Sequence, residues 1–252
     1  MTWFTKKHMY QLIVLIVFTA IGLYYTEFDI RKFKDFHNMI DFLERWIWPK
    51  WELFPKLAKE SIVTLSIAFI GSFFGLLIAL PLSFIAAKNT SRFKFVYQWM
   101  RIFLSFLRSI PEIVIGLVLL TVLGLGPFPA VLAIVIHNIG VLGKLISELI
   151  EASDEGPHEA MKAVGAEKSI ADVFAILPQI WPNVLSHYFY RFEVAIRTSL
   201  ILGFIGAGGI GQQLFNHFKT FQYKAVSMDV LLIMLLVIAV DFYGSRMREK
   251  VI

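Results

Sequence analysis

The sequence predicts an all-α integral membrane protein with six transmembrane helices, both termini in the cytoplasm, and one further helix lying on the outer surface. Three observations carry that prediction. Apolar residues make up 57% of the 252 positions and charged residues only 17%, against roughly 45–50% and about 25% in soluble domains. The apolar residues gather into six runs near the length of about 17–25 residues that a spanning helix needs. Lys and Arg collect in alternate loops, as they do on the cytoplasmic side of membrane proteins.

The first run is Tyr10 to Tyr25. Lys6 and Lys7 precede it, as in a secretory signal. The run ends Tyr24-Tyr25-Thr26-Glu27, with no small-residue cleavage site, and reads as a retained first helix. The second run is Ser61 to Ala87, with Pro81 near its inner end. The third starts near Ile102 or Ile110 and ends by Leu125, and the fourth runs from Pro129 to about Ile150. The fifth lies within Val184 to Ile205, interrupted by Arg191, Glu193 and Arg197; the sixth is Val226 to Tyr243.

Orientation follows from the basic residues. Lys6 and Lys7 precede the first span, and Lys88, Arg92, Lys94 and Arg101 lie between the second and third. Arg246, Arg248 and Lys250 follow the sixth, while the loop around Gly126 and Pro127 has none. Both ends therefore fall in the cytoplasm. The segment Glu27 to Glu60 is then external; its seven basic residues are balanced by seven acidic ones. Phe33, Phe36, Ile40, Leu43 and Ile47 recur at helical spacing, opposite Lys32, Lys34, Asp35, Asp41 and Glu44. This is an amphipathic helix, and Trp46, Trp48 and Trp51 suit the headgroup boundary. Packing of the same face on other spans is the alternative. The chain 1–252 reads as one transmembrane domain. Residues 1–60 hold the first span and external segment, and 61–252 a five-span core with a long cytoplasmic loop at about 151–178.

That loop is the most informative stretch. Gly156-Pro157 starts a helix, since Pro suits its first position. Glu159 sits in the first turn, where a carboxylate meets the positive end of the helix dipole. Gly165 can end it with a positive φ. The result is a helix of about two turns, held between two spans and offered to the cytoplasm.

Glu159-Ala160-Met161, then Gly165, then Leu177-Pro178 resembles the EAA loop of permeases from binding-protein-dependent importers. Met161 replaces the second Ala of that pattern, and Ala175 stands at its Ile position. The stretches 80–89 (LPLSFIAAKN), 108–112 (RSIPE), 124–127 (GLGP), 137–144 (HNIGVLGK) and 206–211 (GAGGIG) resemble the phosphonate-transport branch of that family, in the right order. The resemblance implies a type I ABC importer permease fold in a bacterial inner membrane, with coupling to the ATPase through Glu159, Ala160, Gly165, Leu177 and Pro178. It implies two ATP-binding subunits, an external substrate-binding protein, and a second permease copy or close relative. ATP would be used by the partner, with no cofactor bound by this chain. The implied cargo is phosphonate, with phosphite, hypophosphite or another small oxyanion as the alternative.

Two motifs are decoys. Gly206 to Gly211 spells G-x-G-x-x-G but ends an apolar span rather than joining a strand to a helix. Gly140 to Lys144 lacks the first glycine of a P-loop, where Asn138 stands, and has Leu145 in place of Ser or Thr.

Ionisable groups at membrane depth are functional candidates by default. Arg108, Glu112, His137, Asn138 and Arg197 are the candidates for a translocation pathway. Arg191, Glu193 and Arg197 are spaced for an intrahelical network, Glu193 and Arg197 being four apart. Asp229 and Asp241, near the ends of the sixth span, read as interhelical hydrogen-bonding groups. No catalytic constellation, metal-ligand spacing or polybasic nucleic-acid stripe is present. A membrane enzyme acting on lipids would need paired catalytic groups on facing spans. A channel or ATP-independent transporter would need relay carboxylates or an internal repeat. The EAA-like loop argues against both.

Overall fold

The computed structural model describes residues 6–31, 36–44, 46 and 48–251. The chain divides into two units, Met1–Arg45 and Trp46–Ile252.

The first unit holds α1 (Lys6–Tyr25) and α2 (Phe36–Glu44). Within α1, the apolar window His8–Tyr25 is long enough to span, and none of it is buried. A helix apolar on every side takes lipid or another membrane helix as its surroundings. α2 sets Ile40 and Leu43 against Asp41 and Glu44, as expected. Phe33 and Ile47 of the expected apolar face, with Lys32, Lys34 and Asp35 opposite, lie outside the described residues.

The second unit opens with a 3-10 turn, Trp51–Leu53, and enters α3 (Phe54–Ala86). Pro55 lies in its first turn, where the missing N–H costs nothing. This helix starts seven residues before the predicted Ser61, so part of the expected external segment is helix. α4 (Lys94–Ser109) and α5 (Glu112–Leu123) follow. They meet at 83° and replace the single third span expected from hydropathy. The cause is local. Pro111 forces the preceding residue away from helical geometry, and Ile110 is extended at φ −86°, ψ 122°. Twelve residues of α5 reach only about 18 Å, so it crosses part of the bilayer alone. Lys94 and Arg101, expected in a loop, lie on α4.

α6 (Pro127–Glu151) is the predicted fourth span. The cytoplasmic loop then carries α7 (Gly156–Ala163) and the short α8 (Lys168–Ala171). A π-type turn, Asp172–Ile176, leads into α9 (Leu177–Leu202). A second such turn, Gly203–Ala207, leads to α10 (Gly209–Lys219), bent by 57° from the helix before it. The sequence reading did not anticipate α10. α11 (Tyr223–Val251) is the sixth span and includes Arg246, Arg248 and Lys250 within the helix. Among the described residues, four helices are long and apolar enough to cross a membrane, or up to six if each bent pair counts as one span.

The core of this unit rests on α6, which packs closely on α3 and also on α4, α5 and α9. Small residues permit the approach, as they do generally between membrane helices. A Cβ on Gly71 would come within 2.6 Å of Ile134 Cγ2, and one on Gly75 within 2.6 Å of Asn138 Cβ. On the other face of α6, a Cβ on Gly140 would lie 2.6 Å from the Arg108 backbone nitrogen and 3.0 Å from the Leu104 carbonyl oxygen. Around these contacts Ile67, Ala130, Ala133, Ile134, Ile196 and Leu202 form one buried cluster. Ala79, Leu142, Ile146, Ile150, Ile180 and Val184 form another, nearer the long loop.

The Gly140 contact meets backbone, which cannot swing aside. Gly140→Val should destabilise the bundle by about 1–3 kcal/mol through overpacking. The thermal unfolding midpoint of the detergent-purified protein should fall. A midpoint equal to the parent's would contradict the close α4–α6 approach.

Candidate coupling loop and intramembrane polar site

The cytoplasmic loop is built as a closed, stiff unit. Asp154 Oδ1 accepts from the Gly156 N–H at 3.1 Å, and Pro157 falls in the first turn of α7. Glu159 is in that turn, and Lys162 in the last, each favourable to the helix dipole. The helix starts at Gly156, one residue before the predicted position. At its other end Gly165 has φ +82°. The Gly165 N–H donates to Lys162 O at 2.9 Å and the Ala166 N–H to Met161 O at 3.1 Å. This pair of bonds is a Schellman closure, which needs a left-handed residue at that site. Gly165 therefore does the conformational task expected of it.

Most of α7 is exposed, Glu159 and Ala160 included. Its position depends on polar tethers. His158 Nε2 lies 2.7 Å from Asp172 Oδ1, with both side chains nearly buried. Gln179 accepts from the Asp154 N–H at 3.1 Å and donates to Ala175 O at 2.8 Å. Leu177 and Pro178 form the first turn of α9, directly after the buried Ala175 and Ile176. Glu151 closes the upstream side, accepting from the Lys88 N–H at 2.9 Å and from Arg101 at 2.7 Å. A polar cavity of about 230 Å³ lies between Asn89, Asp154, His158, Glu159 and Lys162.

The second site lies at membrane depth, where α5, α6 and α9 meet. Glu112 occupies the first turn of α5, just past the bend at Pro111. Arg191 Nη2 donates to Glu112 Oε1 at 2.7 Å, and Arg191 Nε to Asn138 Oδ1 at 2.8 Å. Thr198 donates to the other oxygen of Glu112. Arg191 and Thr198 are seven residues apart, two turns, and so share a face of α9. His137 Nδ1 is 3.1 Å from Ile110 O, and its Nε2 is 3.5 Å from Glu112 Oε1. Asn138 is fully buried and reaches Ser72 of α3 at 3.5 Å. A cavity of about 370 Å³ opens beside these groups.

Of the five pathway candidates, the structure brings Glu112, His137 and Asn138 together and leaves two apart. Arg108 is exposed on the last turn of α4 and makes no hydrogen bond among the described residues. Arg197 binds Asp241 of α11 through both carboxylate oxygens, at 2.9 and 2.8 Å. The expected intrahelical network of Arg191, Glu193 and Arg197 does not form. Each residue instead pairs with another helix: Arg191 with Glu112 of α5, Glu193 with Arg248 of α11, and Arg197 with Asp241. Neighbouring helices offer partners that the i,i+4 rule, derived for isolated helices, does not consider. Asp229 and Asp241 are interhelical partners as read, Asp229 lying 2.7 Å from His217 of α10. Arg191 and Thr198 were missed as site residues. Their two-turn spacing, on the face that would meet Glu112, was the available signal.

The chain matches the family model described as "Binding-protein-dependent transport system inner membrane component" over residues 79–251. It is 31% identical to the putative phosphite transport system permease protein HtxC of Stutzerimonas stutzeri, over 98% of this chain and 88% of that one. It is 40% identical to the putative cryptic phosphonate transport system permease protein PhnE2 of Escherichia coli K12, over 48% of this chain and 99% of that one. Among solved structures, it resembles an inward-facing form of the MetNI methionine ABC transporter, with a TM-score of 0.69 and 21% identity. That match covers 81% of this chain and 99% of the other. The matched span takes in the long loop, the polar site and every helix from the end of α3 onward. The chain is thus a multi-pass membrane protein with the type I ABC importer permease fold, and it belongs to the family of binding-protein-dependent transport system inner membrane components.

Proposed function

We propose that this chain is the membrane-spanning half of an ATP-driven importer for a small phosphorus oxyanion, phosphonate foremost. The observation that carries the coupling part is α7, an exposed two-turn helix closed by Gly165 and pinned to the root of α9. A short rigid helix on polar tethers can be pushed as one body. Two ATP-binding subunits in the cytoplasm would seat on α7 of two permease copies, or of this chain and a close relative. ATP hydrolysis belongs to those subunits, and an external binding protein would deliver cargo. Loop charge supports an orientation with both ends in the cytoplasm, and the family supports a bacterial inner-membrane location.

Within this scheme Glu159, Ala160 and Gly165 present and shape the docking helix. Leu177 and Pro178 start α9, the element that carries movement inward. The cargo assignment rests on relatives whose names specify phosphonate or phosphite. Phosphite is the second reading, favoured by the relative that matches 98% of this chain.

The test is uptake at low concentration in a strain lacking the gene, complemented by parent or variant. The parent should restore uptake of methylphosphonate or phosphite. Gly165→Leu places a side chain at φ +82°, a strain of about 1–2 kcal/mol, and should misdirect the chain after α7. Membrane abundance should stay normal, since Gly165 is exposed and a Cβ there would touch nothing within 4 Å. Transport should be lost and the ATP-binding subunit should no longer co-purify. Parent-like transport and co-purification in Gly165→Leu would sink the coupling assignment. Failure of the parent to take up either anion would sink the cargo assignment.

A further inference from the structure

The polar site at membrane depth has donor capacity that the chain itself leaves unused. A guanidinium carries five N–H donors in a planar fork. Arg191 spends Nε on Asn138 and Nη2 on Glu112. Its Nη1 makes no hydrogen bond among the described residues, and it is not one of the atoms sealed from solvent. The acceptors nearby are committed. Glu112 gives one oxygen to Arg191 and the other to Thr198, and Asn138 gives its carbonyl oxygen to Arg191. His137 is anchored through Nδ1 at Ile110 O.

The cavity of about 370 Å³ bordered by Glu112, His137, Arg191 and Thr198 has room for a small tetrahedral anion with water, a water occupying roughly 30 Å³ of liquid. Arg197 does not border this cavity; its Nη2 pairs with Asp241 of α11, and its side chain is half exposed.

We propose that Arg191 is the residue that meets the anionic cargo inside the bundle, with Glu112 as the internal anion that the cargo displaces. This rests on the oxyanion reading above. Without cargo, Glu112 holds the guanidinium in place and neutralises it. A phosphorus oxyanion entering the cavity takes Nη1 and Nη2 together, the bidentate geometry that arginine suits and lysine does not. Glu112 then keeps Thr198 and the N-terminal end of α5, which favours a carboxylate. Repulsion between the displaced carboxylate and the cargo keeps binding weak enough for release, a requirement of any conducting site.

The experiment measures uptake of radiolabelled methylphosphonate and phosphite by the assembled transporter, with membrane abundance as control. Arg191→Gln should lower uptake roughly 10- to 100-fold, the effect of losing a charge-assisted hydrogen bond to cargo. Arg191→Lys should fall in between. The single glutamine variant leaves Glu112 buried and unpaired and could lose abundance for that reason alone. The double variant Glu112→Gln, Arg191→Gln removes both charges and separates the two roles. If Arg191 meets cargo, the double variant is abundant and still fails to transport. If the double variant recovers uptake to near the parent's, Arg191 serves only as the partner of Glu112 and the proposal is overturned. Absence of uptake by the parent would overturn the oxyanion reading itself, a result distinct from recovery in the double variant.

Discussion

An ionised side chain at hydrocarbon depth must find its counter-charge inside the protein, and the ion pair between Glu112 and Arg191 is where this chain meets that demand most fully. It lies where α5 leaves the bend at Pro111, and it draws in Asn138 of α6 and Thr198 of α9. A sliding movement of α5 or α9 would strand a buried charge, at a cost of about 3–5 kcal/mol. The register of these helices is therefore set by a polar contact, while their closeness is set by glycines. Gly71 and Gly75 let α3 approach α6, and Gly140 lets α4 do so. Apolar packing alone would leave sliding permitted, because lipid tails solvate Leu and Ile as well as a neighbouring helix does.

One helix, α9, links the two candidate functional regions. α9 runs as one helix from Leu177 to Leu202, with Pro182 inside it. Its root is tied to Asp154, just before α7, through Gln179 and, across the preceding turn, to α7 through Asp172 and His158. Arg191 stands fourteen residues along it from Leu177, about 21 Å at 1.5 Å per residue. In the proposed coupling, a displacement of α7 would reach the polar site along this one helix, past Pro182. The π-type turns at both ends of α9 are departures from α-helical bonding of the kind found where helices serve function. At the second turn and just past it, Gly206 at φ +106° and Gly208 at φ +85° let the backbone bend into α10. This is the conformational use of the G-x-G-x-x-G stretch, which needs no nucleotide.

Much of this was legible in the sequence, for identifiable reasons. α3, α6 and α11 are long and strongly apolar, and hydropathy finds such helices well. Gly165 was legible because a left-handed residue at a helix end is a local requirement that glycine meets. The bend between α4 and α5 was missed because an averaging window sees composition and not direction. Pro111 carried the signal, and its effect on Ile110 is a local rule. α10 was missed because Gln212, Gln213, Asn216 and His217 dilute its hydropathy below that of a span. The partners of Arg191, Glu193 and Arg197 were illegible for a different reason. Each lies on another helix, and only the packed bundle decides which faces meet.

In the proposed function, force from an ATP-binding subunit enters this chain through α7. The chain contains no cysteine, so a single introduced thiol reports one position without background. Lys162→Cys on the exposed face of α7 should cross-link to the co-expressed ATP-binding subunit. The yield should change between nucleotide-free and ATP-bound transporter. Thr220→Cys, exposed just beyond α10 on the opposite side of the proposed topology, should give no such product. A cross-link at Thr220→Cys with none at Lys162→Cys would contradict both the orientation and the coupling role of α7.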